Sequence, residues 1–467
     1  MPYNKEFANK TTHFDIIKNP DVHEFLKNCH IIKNGEELDK NGILTKFVDV
    51  PSCNFVNPEN IIAIDGSYHE SSVTDGFPSQ KVGYIKIGSI LLKHKELVNL
   101  QNKTGTISPM EIAKFKNNSS SITITLPTTY LQYKDCVDLQ EGFRLSMEES
   151  FLTICEENNQ ELSLYNMLLK LISYLDKNSP EEIFKNNRVM LQKCPSCESP
   201  DVISKVSLGS SPIVSLCPNC QRRLFVTDIL RIWEKLEGIS TNEGALSRAM
   251  SIIERIVSFN YIRSIVESDK QNYVNSLSNL CILIDGPLAV FGEPAKFHSS
   301  FMKYLNEINV EMRKAGKSDI FMIGIQKTGP INDFFRLFKN EIPNGKIFCI
   351  DDDFRFKYIK LEKKPTICFG METYYGQDFV YKNKKGSIIV FSIPYPWDSK
   401  GITDFKSKKA DIQNYKNLKV YTDLLDDFDC DLYENSLIPT VLAHKYTAIS
   451  LKPGSKMLDL LSRNLVY

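Results

Sequence analysis

Short hydrophobic runs closed by polar residues recur along this chain. Two of them share a pattern: Ile61-Ile62-Ala63-Ile64 leads into Asp65-Gly66-Ser67, and Cys281-Ile282-Leu283-Ile284 leads into Asp285-Gly286-Pro287. An apolar run ending in Asp-Gly predicts a buried strand that delivers a carboxylate at its C-terminal edge and then turns. Lys81 to Leu92 alternates polar and apolar residues across a short polar loop from the first run, which predicts an antiparallel partner strand. Further strands are expected at Ile122-Thr123-Ile124-Thr125-Leu126, at Phe321 to Gln326 ending on Lys327, at Ile347 to Ile350 before Asp351, and at Ser387 to Ile393 closed by Pro394.

Helical periodicity fills the intervals. Asp15 to Asn28 predicts a short helix, Pro51 to Pro58 a linker, and Met147 to Leu175 a helical stretch. After possible N-caps at Ser240, Thr241 and Asn242, apolar residues at Leu246, Met250, Ile253, Val257, Tyr261 and Ile265 are spaced by three and four, so Ala245 to Val266 reads as a long helix with one face in the core. Pro439 to Ile449 predicts a helix with proline in its first turn and His444 one turn inside. Strands interleaved with helices make the fold class α/β.

Composition adds three constraints. The 467 residues allow two or three domains, or one elaborated domain with insertions. No apolar run approaches the ~20 residues of a bilayer span, and Met1-Pro2-Tyr3-Asn4-Lys5-Glu6 is no secretory leader, so a cytoplasmic protein without membrane association is expected. The 57 basic and 57 acidic side chains cancel, which disfavours tight autonomous DNA binding. The lysine runs at Lys382, Lys384 and Lys385 and at Lys400, Lys406, Lys408 and Lys409 are expected to be solvated surface.

Cysteine usage is more specific. Cys29, Cys53, Cys136, Cys155, Cys281, Cys349, Cys368 and Cys430 are scattered singly, as in a reducing compartment. Cys194-Pro195-Ser196-Cys197 and Cys217-Pro218-Asn219-Cys220 instead form two C-P-x-C knuckles with nineteen residues between Cys197 and Cys217, the spacing of four thiolates around one structural Zn²⁺; a redox dithiol pair is the other reading. With no open coordination position, such a zinc holds a ribbon together and takes no part in chemistry.

Candidate chemistry centres on the paired carboxylates. Asp65 and Asp285, brought side by side, make an oxygen-rich site for Mg²⁺ or Mn²⁺, although each Asp-Gly is also an ordinary turn. Glu254 lies at the edge of the long helix's buried stripe and can reach a sheet edge carrying both aspartates, or else pair with Arg255 on the surface; Glu267, at the helix end, is its rival. His444 is either a structural helix histidine or the base and proton donor that such acids need.

The order Ile-Asp-Gly-Ser, a Val-Gly-Tyr-Ile-x-Ile-Gly strand, a Glu-bearing helix, Ile-Asp-Gly-Pro-Leu, a strand ending in lysine, a hairpin and a terminal Pro-x-x-Leu-Ala-His helix resembles the NurA nuclease family over about 60 to 467. The zinc ribbon is an insertion typical members lack. Many members also carry Tyr-Pro ahead of the terminal motif, where this chain has Ser436-Leu437.

The resemblance implies an RNase H-like, Piwi-like mixed sheet flanked by helices, Mn²⁺-dependent (or Mg²⁺-dependent) DNA cleavage by one or two ions, a homodimer, and a hexameric HerA-type ATPase as partner. It matches Asp65, Glu254, Asp285 and His444 to metal ligands, and Lys327 to a basic position that contacts phosphate. The implied organisation is an N-terminal helical and irregular segment over 1–60, a nuclease domain over 61–190 and 227–467, and the inserted ribbon over 191–226. The implied function is a DNA nuclease, a 5′–3′ exonuclease or an endonuclease, in DNA end processing and repair or in antiviral (phage) defence. The alternative is a zinc-ribbon adaptor that docks the ATPase without cleaving.

Overall fold

The structure, a computed structural model, describes residues 12–29, 39–74, 77, 79–102, 119–155, 159–175, 186–237, 241–360, 368–429, 437–449 and 454–463; Ser240, Cys430 and Ser436 lie outside them. The chain divides into two compact units, Met1–Phe47 and Val48–Tyr467. In the first, the single helix expected over Asp15 to Asn28 is two, Thr12–Lys18 and Pro20–Lys27. Pro20 has no N–H to continue the first helix, and Asn19 caps the second by accepting from the Asp21 amide at 2.9 Å.

Among the described residues, the second unit is built on a nine-stranded mixed sheet. Its strands are β1 (Val48–Asp49), β2 (Asn60–Ser72), β3 (Lys81–Lys93), β4 (Ser119–Thr129), β9 (Leu280–Asp285), β10 (Phe321–Gln326), β11 (Lys346–Cys349), β12 (Gly376–Lys382) and β13 (Ile388–Pro394), in the order β1-β11-β12-β13-β10-β9-β2-β3-β4. β5 (Arg188–Lys193), β6 (Pro200–Lys205), β7 (Ser215–Leu216) and β8 (Arg223–Leu224) form two separate hairpins. β2, β9 and β10 run parallel, and the other neighbours are antiparallel. β9 and β10 are apolar without alternation because helices cover both faces of the sheet.

Each face has its own core. Ile64, Ile87, Ile282 and Ile284 pack with Ile253, Ile256 and Phe301 of the helices Glu243–Ser268 and Phe297–Lys314. Ala63, Ile90, Leu283 and Ile323 pack on the opposite face with Leu424 and Leu442 of the helices Leu418–Phe428 and Ile438–Thr447. These layers fix which side of β2 each candidate residue occupies.

Several expectations change. The helical stretch expected from Met147 to Leu175 begins earlier and splits into Leu139–Thr153 and Leu164–Ile172, because Asp138 and Ser163 each cap a new start. The segment ahead of the long helix forms two 3₁₀ turns, Val226–Leu230 and Ile232–Lys235, separated by Arg231 at φ 57°. Asn242 does not cap the long helix through its side chain, which instead bonds Thr128 and receives the Glu237 amide. The lysine runs are not uniformly solvated. Lys382 is buried on the carbonyls of Lys339 and Ile342, Lys400 on those of Gly370 and Met371, and Lys409 on Asp352 at 2.6 Å.

The cysteine knuckles lie at the tips of the two small hairpins, β5 with β6 and β7 with β8. They do not form a detached module. Leu191, Cys194, Val202, Cys217 and Leu224 belong to the same apolar cluster as the long helix, and buried Arg144 donates to the Arg223 carbonyl at 2.8 Å.

Candidate active site

Asp65 and Asp285 start from the same local sequence and meet different ends. At Asp285 the strand stops; Gly286 follows at φ +84°, a left-handed conformation that favours glycine, and its amide donates to the Ile325 carbonyl. Asp65-Gly66, in contrast, makes no turn. β2 continues to Ser72 because β3 pairs with it residue by residue from Asn60↔Lys93 to Ser72↔Lys81. Parallel pairing between β2 and β9 ends at Ile64↔Ile284. A notch therefore opens directly past Ile64, between a strand that continues and one that turns away.

The two aspartates share one face at this notch. Ile64 and Ile284 point into the long helix's core, so the next residue on each strand points the other way. There the helix Ile438–Thr447 meets Asp65: His444 Nδ1 lies 2.8 Å from Asp65 Oδ2, and the Thr447 hydroxyl donates to the same oxygen at 3.0 Å. Gly88, opposite Asp65 on β3, lets this helix approach, since a Cβ there would stand 2.4 Å from the Thr447 methyl. Lys327, one residue past the end of β10, reaches Asp285 Oδ2 at 3.1 Å.

Glu254 arrives from the other side of the sheet. It is 4% exposed on the long helix, and its carboxylate lies beneath Gly66, accepting the Gly66 amide. A Cβ at Gly66 would come within 2.7 Å of Glu254 Oε1 and 2.8 Å of Ile87 and Met250 side-chain carbons. The missing side chain thus leaves the space through which a carboxylate on the far face approaches the notch. Glu267 is excluded from it: its side chain is 47% exposed and pairs with Lys270. The surface-pair reading of Glu254 is also corrected, because Arg255 is itself buried and spends its hydrogen bonds on the carbonyls of Ser251, Pro287 and Ala289, standing 3.6 Å from Glu254 Oε2.

Three acids in one notch repel one another. Burial pushes the Glu254 carboxyl up to about 8; Asp65 and Asp285 add to the rise and Arg255 opposes it. Asp65 is also raised, first by burial and then by Asp285, against Lys327 and His444. Lys327 takes Asp285 Oδ2, whose partner Oδ1 accepts the Gly286 amide at 3.1 Å, while His444 and Thr447 both engage Asp65 Oδ2. The donor set is all carboxylate with one imidazole, which suits Mg²⁺ or Mn²⁺.

The sulfur site is more closely drawn. Among the described residues, Cys194, Cys197, Cys217 and Cys220 are the group of metal-ligating side chains whose ligand atoms all lie within 4.8 Å of one another; the notch acids stand farther apart. The Cys194–Cys220 and Cys197–Cys217 sulfurs are 3.7 and 3.8 Å apart, against about 3.8 Å for a tetrahedron with ~2.3 Å zinc–sulfur bonds. The Ser199 hydroxyl and backbone hold the Cys197 thiol down to about 5, favouring the thiolate a metal needs.

Sequence reasoning missed Gly66, Arg255 and Thr447. A glycine inside a strand signals a close approach, and that was the available clue for Gly66. Arg255 and Thr447 act through tertiary contacts for which the chain offers no local sign.

No protein-family model matches the chain, and no curated protein matches it. Solved structures of NurA are similar to it. The NurA nuclease from Sulfolobus solfataricus is 11% identical, with a TM-score of 0.32 and 98% of both chains covered. A second NurA structure is 11% identical with a TM-score of 0.26, covering 98% of this chain and 96% of the other. A structure of NurA with manganese is 12% identical with a TM-score of 0.26, covering 98% and 99%. At these scores the likeness carries no weight about chemistry, which rests on the residues of the notch.

Proposed function

We propose that this chain is a divalent-cation-dependent nuclease that hydrolyses DNA phosphodiesters, with Asp65, Glu254 and Asp285 as the metal-holding acids. The observation that carries this reading is the notch itself: two aspartates on one face, and a glutamate from the other face admitted by Gly66. Mn²⁺ or Mg²⁺ held there would activate water and neutralise charge on a bound phosphate.

The chain's own residues supply the rest. Thr447 and His444 fix the orientation of Asp65 through Oδ2. His444, with Nδ1 engaged and its side chain 47% exposed, presents Nε2 as proton donor to the leaving 3′-oxygen. Lys327 is placed to release Asp285 and pair with phosphate charge as it develops. An RNase H-like reading of the sheet, a homodimer, a HerA-type ATPase that feeds DNA to the site, and a role in end processing or phage defence follow from the motif resemblance and complete the proposal. A motor partner also accommodates the chain's zero net charge.

The test is cleavage of end-labelled linear and circular DNA with Mn²⁺, Mg²⁺ or EDTA, beside Asp65→Ala. Metal-dependent products that vanish in the variant are expected, and attack on circles separates endonuclease from exonuclease. A folded, zinc-loaded protein that cleaves nothing overturns autonomous nuclease action and favours the adaptor.

A further inference from the structure

Past the notch, β2 carries a row of polar side chains on the face of Asp65: Ser67, His69 and Ser71. Register places Lys86 of β3 directly opposite Ser67, and Tyr84 opposite His69, on that same face. Lysine is disfavoured inside a strand flanked on both sides, and β3 lies between β2 and β4. Lys86 is half-buried and has no acidic partner within salt-bridge distance among the described residues. The floor leading away from Asp65 is thus polar: Ser67, 6% exposed, already accepts the Ile449 amide at 3.3 Å, and Lys86 stands beside it as a donor.

A short C-terminal helix, Gly454–Ser462, lies over part of this floor with its polar side down. His69 Nε2 is 2.8 Å from Asp459 Oδ1, the Ser71 hydroxyl donates to that oxygen at 2.7 Å, and Tyr84 and Ser462 share a hydrogen bond of 2.9 Å. Met457 and Leu461 face outward, 60% and 55% exposed. A helix that turns apolar groups to solvent and polar groups to the sheet is held by its hydrogen bonds, whose net contribution is modest each, and it gains little from apolar burial. Asp459 is an anion held by two donors on the strand that bears Asp65.

We propose that this face of β2 and β3 is the track of the substrate's phosphodiester backbone, that Lys86 and the His69–Ser71 pair each receive a phosphate, and that Asp459 occupies the second of these positions in place of one. Four residues of strand put His69 about 13 Å from Asp65, a span of two backbone steps for an extended single strand. The helix then blocks the track until nucleic acid displaces its carboxylate. The inference rests on the nuclease reading for what lies at the other end of the track, but binding tests it without cleavage.

Fluorescence anisotropy of an end-labelled single-stranded oligonucleotide in EDTA measures that binding. Asp459→Asn, which keeps the shape and removes the charge, is expected to tighten Kd about 3- to 10-fold, with Asp459→Ala as the second variant. Lys86→Ala is expected to weaken binding and reduce the slope of log Kd against log salt by about 0.7, one phosphate's share for a single strand. Unchanged Kd in both Asp459 variants, with unfolding transitions like the wild type's, overturns the stand-in role; an unchanged salt slope in Lys86→Ala overturns the track. If both responses occur and no Mn²⁺-dependent cleavage does, the nuclease reading fails and the track stands. If cleavage occurs and neither response does, the reverse holds.

Discussion

Gly66→Ala is the sharpest probe of the notch. The added Cβ would meet Glu254 Oε1 at 2.7 Å and the Ile87 and Met250 side chains at 2.8 Å, where ordinary contact begins near 3.4 Å. Three neighbours must each give by roughly 0.6 Å. Ile87 is 2% exposed and held in the core, so it has little room, while Glu254 is the end of a flexible side chain and will be expelled first. Overpacking of this kind costs about 1–3 kcal/mol, and an acid displaced by an ångström costs a metal-dependent reaction about 10²-fold.

Urea unfolding gives the first quantity and single-turnover cleavage the second. Gly244→Ala is the matched control. It sits in the first turn of the same helix with nothing within 4 Å of the added atom, and replacing a helical glycine in open space stabilises by about 0.5–1 kcal/mol. Opposite signs are therefore expected from one chemical change at two sites. Equal stability of Gly66→Ala and wild type would refute the idea that Glu254 reaches the notch through the space that Gly66 leaves for want of a side chain.

Three other outcomes are expected. Glu254 is an acid whose folded pKa, about 8, lies above its unfolded 4.5, so its contribution is fully present below about 4.5 and is lost as pH rises through about 8. Metal-free protein should accordingly lose stability across that window, and Glu254→Gln should flatten the dependence in unfolding followed from pH 5 to 9. Cys197→Ser should remove one zinc per chain, measured by elemental analysis, and lower Tm by roughly 10 °C or more, since Cys194 and Cys217 belong to the main core. Lys382→Met should cost about 1–3 kcal/mol by stranding two buried carbonyls, whereas Lys384→Met, at a side chain 68% exposed, should stay within about 0.5 kcal/mol in the same unfolding assay.

What was legible in the sequence follows the range of the interactions involved. β9 and β10 were readable because a strand buried on both faces must be apolar throughout, and the antiparallel β2–β3 pair because its alternation survives a short loop. The knuckles were readable because zinc ligation imposes its spacing on the chain itself. The fate of Asp65-Gly66 was not, since β3 alone decides that β2 continues where β9 turns. Lys382, Lys400 and Lys409 misled for a related reason: a charge run looks the same whether carbonyls from distant loops receive it or water does.

The notch also explains why Glu254 gave so weak a signal. An acid serving a site on its own side of the sheet would interrupt its helix's apolar stripe, but Glu254 sits at the stripe's edge and reaches a site that opens on the far side. Its burial is then tolerable only where the strand above lacks a side chain and offers an amide, and Gly66 provides both. The pairing of a strand glycine with an acid beneath it is consequently a single feature split across some 190 residues of sequence. Neither half is distinctive alone, because strand glycines and helix-edge glutamates are common. Only the termination of β2–β9 pairing at Ile64↔Ile284 makes them one site, and a chain in which β9 extended two residues further would close the notch while leaving every candidate residue in place.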